Sequence, residues 1–226
     1  MKGLTNNQLK ILALVTMTVD HIGAYLFPYL MWLRIIGRLA FPIFAYMIAE
    51  GCRHTRSMGK YFATMAVFAL VVQGVDLVAR GSLYMSILVT FSMSIGIIWL
   101  MQKAKKTRSF LWVLLGVTAV AAAYFICEIL PGMLPDAGFG VDYGFIGVMI
   151  PALVFLGKNK WQRILVLAVG LSALVPQVAT IQWYALLAIL PLALYNGQRG
   201  KWNLKWLFYI YYPAHLVAIY GISFLL

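Results

Sequence analysis

The chain has 226 residues, of which 63% are hydrophobic and only 11% are charged. A soluble domain needs about a quarter of its residues charged, so this composition excludes an ordinary soluble protein and indicates an integral membrane protein. Apolar windows of about 18 to 22 residues are long enough to cross a hydrocarbon core about 30 Å thick as helices. The period-two alternation of outer-membrane strands is absent, so the predicted fold is all-α, a polytopic bundle of membrane helices.

Charged and Gly/Pro-rich breaks divide the chain into about nine predicted transmembrane helices within a single domain, 1–226. We place the helices at residues 9–29, 33–52, 60–79, 83–101, 110–130, 142–157, 162–178, 180–196 and 205–226. Most Lys and Arg residues, from Lys2 onward, fall in alternate connections. By the positive-inside rule the N-terminus is cytoplasmic and the C-terminus is outside, as in a multi-pass protein of a bacterial inner membrane. The same basic rim would also attract a nucleotide or an anionic lipid head group.

Ionisable residues at membrane depth are the strongest functional signal. The stretch TVDHIGAYLF carries Asp20 and His21 inside an apolar run. A buried charge there costs about 2.5 to 3.5 kcal/mol on insertion scales and marks a candidate site. His21 lies eleven residues beyond Lys10, about 16 Å into the first span, and His215 lies ten residues, about 15 Å, into the last. We therefore expect the two histidines at one level near the midplane.

The second span adds further polar groups. Arg34 and Arg38 are four residues apart on one helical face, and Glu50 follows near the cytoplasmic end. Pro42 lacks the amide that would bond the carbonyl of Arg38, so a polar backbone group is freed at this depth. The expected polar column runs from Lys10 and Glu50 through Asp20, His21 and His215 to Arg38.

These groups admit two interpretations. They either satisfy one another and lock the bundle together, or they form a reaction site. An imidazole beside a carboxylate is a plausible general base, which favours a catalytic role for His21. His215, which follows Pro213 and lies near Tyr211, is a second candidate. His54, in the basic segment CRHTR, is predicted to lie on the cytoplasmic rim and to touch phosphate.

Several chemistries lack their sequence motifs. HExxH, GxSxG and Walker-type loops do not occur, and the two cysteines have no metal-like spacing, so no metal site is expected. The remaining features suit either group transfer from a charged cytosolic donor or passage of a polar solute.

Three segments resemble the TraX family, whose best-known member acetylates the N-terminal amine of a conjugative pilin subunit. They are LKILALVTMTVDHIGAYLF, RIIGRLAFPIFAYMIAEGCRHTR with the following Lys60-Tyr61, and the terminal YYPAHL. The interval of ten residues between Lys10 and His21 also resembles the Arg, ten residues, His motif of the larger transmembrane acyltransferase superfamily. Here Lys replaces Arg, which removes the bidentate contact of a guanidinium.

The resemblance implies an acyl-CoA donor, with acetyl-CoA expected, and an amine or hydroxyl acceptor on a small molecule, peptide N-terminus, sugar or lipid. His21 would be the general base, and Asp20 would either orient it or pair instead with Arg38. Arg38 or Tyr211 would stabilise the oxyanion, and His215 completes the candidate catalytic set. The donor would rest on a rim formed by Lys10, Glu50, Arg53, His54, Arg56, Lys60 and Tyr61.

Two other functions fit the same residues. A transporter or channel would use the polar column for a small anion or protons, and a structural assembly protein would use it only to specify helix packing. Membrane lipid is an expected partner and nucleic acid is not, while an oligomer is compatible with the sequence.

Overall fold

The computed structural model describes residues 3–178, 180–202 and 204–225, so the predicted cytoplasmic Lys2 lies outside the described residues. The chain is almost entirely helical. In chain order the α-helices are α1 Asn6–Tyr25, α2 Met31–Gly37, α3 Ala40–His54, α4 Met58–Arg80, α5 Ile87–Thr107, α6 Phe110–Tyr124, α7 Leu130–Met133, α8 Gly144–Leu156, α9 Lys160–Val178, α10 Ile189–Ala193 and α11 Lys205–Ser223. A π-helical turn covers Phe125–Ile129, and 3-10 helices cover Pro135–Ala137 and Thr180–Ala188.

The predicted helical class is confirmed. Within the described residues, four helical segments are long and apolar enough to cross a membrane, namely Met31–His54, Met58–Arg80, Ile87–Thr107 and Phe110–Met133. The apolar segments Gly144–Leu156 and Thr180–Ala193 are shorter. Nine crossings, and the orientation of the chain, therefore stay predictions.

A capping box starts α1 three residues before the predicted first span. The Thr5 side chain accepts from the Gln8 amide, and the Gln8 side chain accepts from the Thr5 amide at 2.9 Å. The pair satisfies amides that the first turn would otherwise leave without partners. Asn6, Asn7 and Gln8 are thus helical, and Thr5 is their N-cap.

The second predicted span contains a break. Helix α2 ends at Gly37, Arg38 and Leu39 form a turn, and α3 begins at Ala40. The break lies where Pro42 cannot supply an amide to the Arg38 carbonyl, as the sequence indicates. Arg38 therefore lies in the turn directly after the short helix α2.

The chain divides into two compact units, one made of Met1–Met47 and Asn159–Leu226 and the other of Ile48–Lys158. In the first unit, α1 packs against α2 and α11, and the 3-10 helix Thr180–Ala188 packs against α2 and α9. Its core includes Leu9, Ala13, Ile43, Leu167 and Leu171, all completely buried.

The second unit is centred on α5, which packs against α4, α6 and α8. Two-residue strands, β1 Tyr84–Met85 and β2 Gly140–Val141, pair in parallel there, a small departure from the predicted all-helical fold. The hydroxyl of Thr90 donates to the Asp142 carbonyl at 2.7 Å, so the loop after β2 is bonded to α5.

Candidate active site

His21 and His215 form a hydrogen-bonded pair between the first and last helices of the described chain. Nδ1 of His21 lies 2.7 Å from Nε2 of His215, and the rings stack with centroids 5.0 Å apart at 13°. His215 is only 7% exposed. The sequence predicts the two residues at the same depth, and the structure brings their rings into direct contact.

The backbone of α11 fixes which nitrogens carry protons. Nδ1 of His215 lies 2.9 Å from the carbonyl oxygen of Tyr211, and a carbonyl only accepts, so this nitrogen carries the hydrogen. A neutral His215 then presents its Nε2 lone pair, which accepts from Nδ1–H of His21. A neutral His21 consequently carries its own lone pair on Nε2. A general base uses such a lone pair to take a proton.

Tyr211 supports the pair through its ring, carbonyl and hydroxyl. Its ring stacks on His215 at 5.3 Å and 11°. The Thr18 hydroxyl donates to the Leu14 carbonyl at 2.9 Å, so it accepts from the Tyr211 hydroxyl, which lies 2.8 Å away. The Tyr211 hydroxyl is thus used in positioning α11 against α1, and its contact with an oxyanion stays a prediction.

Asp20 faces α2 rather than the histidine pair. Its Oδ1 accepts from Nη2 of Arg38 at 2.5 Å, and its Oδ2 accepts from Nη1 of Arg34 at 2.7 Å. Neighbouring helical residues point about 100° apart, which is why Asp20 reaches α2 while His21 reaches α11. Of the two predicted roles for Asp20 the structure has the pairing with Arg38, and the Nδ1 partner of His21 is His215.

Two glycines allow this close approach of α1 and α2. A Cβ on Gly37 would lie 2.1 Å from Oδ1 of Asp20, and a Cβ on Gly23 would lie 2.6 Å from Cβ of Leu33. No side chain fits in either place without moving a neighbour. The glycines of the DHIG and GR motifs therefore make room for the ionic cluster, which consists of Asp20, Arg34 and Arg38.

Gln182 belongs to the site and is missing from the sequence-based set. It is completely buried on the 3-10 helix Thr180–Ala188, and its Oε1 accepts from Nη1 of Arg38 at 3.3 Å. The available signal was a polar side chain within the apolar run VATIQWYALLAIL.

The candidate donor-binding residues divide between the units. Lys10 is half-buried and lies in the first unit. One turn before it in α1, the Asn7 amide donates to the Arg199 carbonyl at 3.2 Å. The others lie in the second unit, at the corner between α3 and α4; they are Glu50, Arg53, His54, Arg56, Lys60 and Tyr61.

Contacts within that corner distinguish its members. Glu50 is buried, and Nη2 of Arg53 donates to the Phe155 carbonyl and, at 2.6 Å, to the Gly157 carbonyl. Arg53 thus caps the C-terminal end of α8. Arg56 and Lys60 are exposed, which makes them the corner's cations best suited to an anionic ligand.

The remaining two corner residues contact the Glu50-Gly51 segment. Nδ1 of His54 donates to the Glu50 carbonyl at 2.9 Å. A Cβ on Gly51 would lie 2.8 Å from the Tyr61 hydroxyl, so the glycine lets Tyr61 pack on the helix. Among the described residues no group of three His, Cys, Asp or Glu side chains is arranged to hold a metal ion.

The fold and site define a helical protein with candidate membrane spans, an imidazole pair and an ionic cluster of Asp20, Arg34 and Arg38. A family model described as TraX protein matches residues 5–223, and the chain belongs to the TraX family. It is similar to the probable fimbrial assembly protein FimC, serogroup H1, of Dichelobacter nodosus, with 24% identity over 241 aligned residues that cover 94% of this chain and 93% of the relative. A shorter match, 57% identical over 44 residues, links it to an uncharacterized protein of Rickettsia prowazekii and covers 19% of this chain and 18% of that protein. No solved structure matches the chain.

Proposed function

We propose that this TraX-family protein is a membrane-embedded acetyltransferase of a bacterial inner membrane. It transfers an acetyl group from cytosolic acetyl-CoA to an amine or hydroxyl of an envelope or extracytoplasmic acceptor. The observation that carries the proposal is the hydrogen-bonded series from the Tyr211 carbonyl through His215 to His21, because it leaves the lone pair of neutral His21 on Nε2.

His21 acts as general base in this proposal. Nε2 takes the proton from the attacking amine or hydroxyl while the new bond to the acetyl carbon forms. The resulting imidazolium is stabilised by its Nδ1–H bond to His215. When the carbon–sulfur bond breaks, the proton passes to the leaving thiolate, so His21 returns to its neutral form and the atoms balance.

In this proposal the ionic cluster of Asp20, Arg34 and Arg38 supplies electrostatic stabilisation of the transition state. Two guanidinium groups, of Arg34 and Arg38, share the single carboxylate of Asp20, so the cluster carries an excess positive charge. A fixed positive charge in a site with little water stabilises the negative charge that develops on the acetyl oxygen. Asp20 holds both guanidinium groups in place and acts as a positioning residue.

The donor supplies the activated acetyl group, and the exposed cations Arg56 and Lys60 suit its anionic nucleotide part. Lys10, Glu50, Arg53, His54 and Tyr61 remain in the proposed binding set from the sequence. The name of the Dichelobacter relative concerns fimbrial assembly, which favours a fimbrial subunit as the acceptor.

The experiment compares wild type with His21→Asn and His21→Ala, purified in detergent, for acetyl-CoA binding and slow acetyl-CoA hydrolysis. Asn keeps a donor near the Nδ1 position and removes the base at Nε2, so His21→Asn should stay folded and bind acetyl-CoA without turnover. A monodisperse wild type that neither binds nor hydrolyses acetyl-CoA contradicts the proposal.

The imidazole pair also favours the second candidate, a channel or transporter for protons or a small anion, because hydrogen-bonded imidazoles can pass a proton. Reconstitution in vesicles separates the two functions. Proton or anion flux that depends on His21, without acetyl transfer, would support the transporter.

A further inference from the structure

Gln182 is completely buried, and the nitrogen of its side-chain amide has no hydrogen-bond partner among the described residues. Its side chain is 0% exposed, and Nε2 has no partner there. A buried donor left without an acceptor is destabilising, so such groups are rare unless a ligand or water uses them. This donor lies next to the ionic cluster.

The orientation of the amide follows from its neighbour. A guanidinium only donates, so the Gln182 atom 3.3 Å from Nη1 of Arg38 must be the oxygen. The nitrogen therefore points away from Arg38 and needs an acceptor from elsewhere. Because the two amide atoms are only about 2.2 Å apart, that acceptor would lie in the same part of the first unit as Arg38.

Two hydrogen bonds and one peptide bond connect Gln182 with the proposed base. Oε1 of Gln182 accepts from Arg38, Arg38 donates to Asp20, and Asp20 precedes His21 in α1. An oxygen bound by Nε2 would feel the excess positive charge of the cluster, which favours an oxygen that becomes negative. In acyl transfer the oxygen with that property is the carbonyl oxygen of the acetyl group.

We propose that Nε2 of Gln182 donates a hydrogen bond to the acetyl carbonyl oxygen of the donor and holds it as it becomes an oxyanion. This inference rests on the proposed function. As the acceptor attacks the carbonyl carbon, the carbonyl π electrons move to oxygen, and they return when the carbon–sulfur bond breaks. Gln182 donates throughout and neither gains nor loses a proton, so it is a catalytic residue that contacts the reacting atoms.

The kinetic test uses two substitutions at this position. Gln182→Met keeps the size and removes the donor, and Gln182→Glu keeps an oxygen acceptor for Arg38 while removing the donor. Both should lower kcat by about 100-fold to 1,000-fold, the effect of losing one oxyanion donor, with KM for acetyl-CoA within about twofold. Gln162→Met, an exposed glutamine of the same unit, is the matched control and should equal wild type.

A spectroscopic test reads the bond without turnover. Acetyl-CoA labelled with carbon-13 at the carbonyl is bound to His21→Asn and to the double variant His21→Asn with Gln182→Met. A hydrogen bond from Nε2 lowers the carbonyl stretching frequency in the first protein, and the band should return toward its free position in the second. Equal bands in both proteins would mean that water or another group uses the amide, and would overturn the inference.

The outcomes separate this inference from the function beneath it. If wild type transfers acetyl and the folded variants Gln182→Met and Gln182→Glu have unchanged kcat, the role of Gln182 is overturned. The acetyltransferase proposal would still stand in that case. Wild type that never binds acetyl-CoA removes the acetyltransferase and this inference together.

Discussion

Gly37 provides the space that the Asp20 carboxylate occupies. A methyl group at this glycine would overlap Oδ1, Cβ and Cγ of Asp20, at 2.1 to 2.5 Å. Since the same carboxylate accepts from Arg34 and Arg38, one missing side chain in α2 makes room for three charged groups. The glycine is therefore a packing requirement of the ionic cluster.

Gly37→Ala should destabilise the protein by about 1 to 3 kcal/mol, because the new methyl group must displace Asp20 or separate α1 from α2. Thermal unfolding in detergent measures the effect. The matched control is Gly116→Ala in α6, where an added Cβ meets nothing within 4 Å. The control should be neutral or stabilising by up to about 1 kcal/mol, as helix propensity predicts. Equal stabilities for the two variants would contradict the packing argument.

Asp20→Asn should be among the most destabilising conservative substitutions, because it leaves the buried guanidinium of Arg38 and the half-buried guanidinium of Arg34 without their carboxylate. Breaking such a buried pair costs about 3 to 5 kcal/mol. The control is Asp136→Asn, at an exposed position, which should change stability by less than about 0.5 kcal/mol.

Arg38→Gln should cost more stability than Arg34→Gln. The Arg38 side chain is 9% exposed and that of Arg34 is 31% exposed, so solvent screens the Arg34 pair more strongly. Unfolding by heat in one detergent, with both variants beside wild type, gives the order. A larger loss for Arg34→Gln would contradict the ranking by burial.

His215 is expected to act through His21 rather than on the substrate. His215→Leu removes the acceptor for Nδ1–H of His21 and should lower kcat by about 10-fold to 100-fold while KM for acetyl-CoA stays near wild type. His215→Gln can present an oxygen to the same N–H and should recover part of the activity. If Gln and Leu are equally inactive, or if both change KM alone, the positioning role is wrong.

Arg53 and Arg56 should separate stability from ligand binding. Arg53→Gln removes donors from the carbonyls of Phe155 and Gly157 and should lower stability by about 1 kcal/mol. Arg56→Gln, at an exposed position, should leave stability unchanged and weaken acetyl-CoA binding, more strongly at low salt. Calorimetric titration and thermal unfolding of the same preparations check both. An unchanged affinity in Arg56→Gln would remove it from the proposed binding set.

The sequence identifies residues that must be buried together, but not which partner each residue chooses. Hydropathy and depth counting place His21 and His215 at one level, and the structure pairs them. Asp20 has two candidate partners in the sequence, and only the packing of α2 against α1 decides between them. The contacts of Gln182 and of the short strands join distant segments, so local propensity and periodicity do not predict them, although a polar side chain in an apolar run marks Gln182 itself.

The pairing of His21 with His215 also has a consequence for biogenesis. The two residues are 194 positions apart, so the imidazole contact cannot form until the helix that bears His215 has been synthesised and inserted beside α1. A nascent chain arrested before α11 contains His21 and the Asp20–Arg38 ion pair, but His21 lacks the acceptor that sets its tautomer. In the proposed acetyltransferase, activity would therefore begin only after assembly of the first unit is complete, so unfinished chains would transfer no acetyl groups.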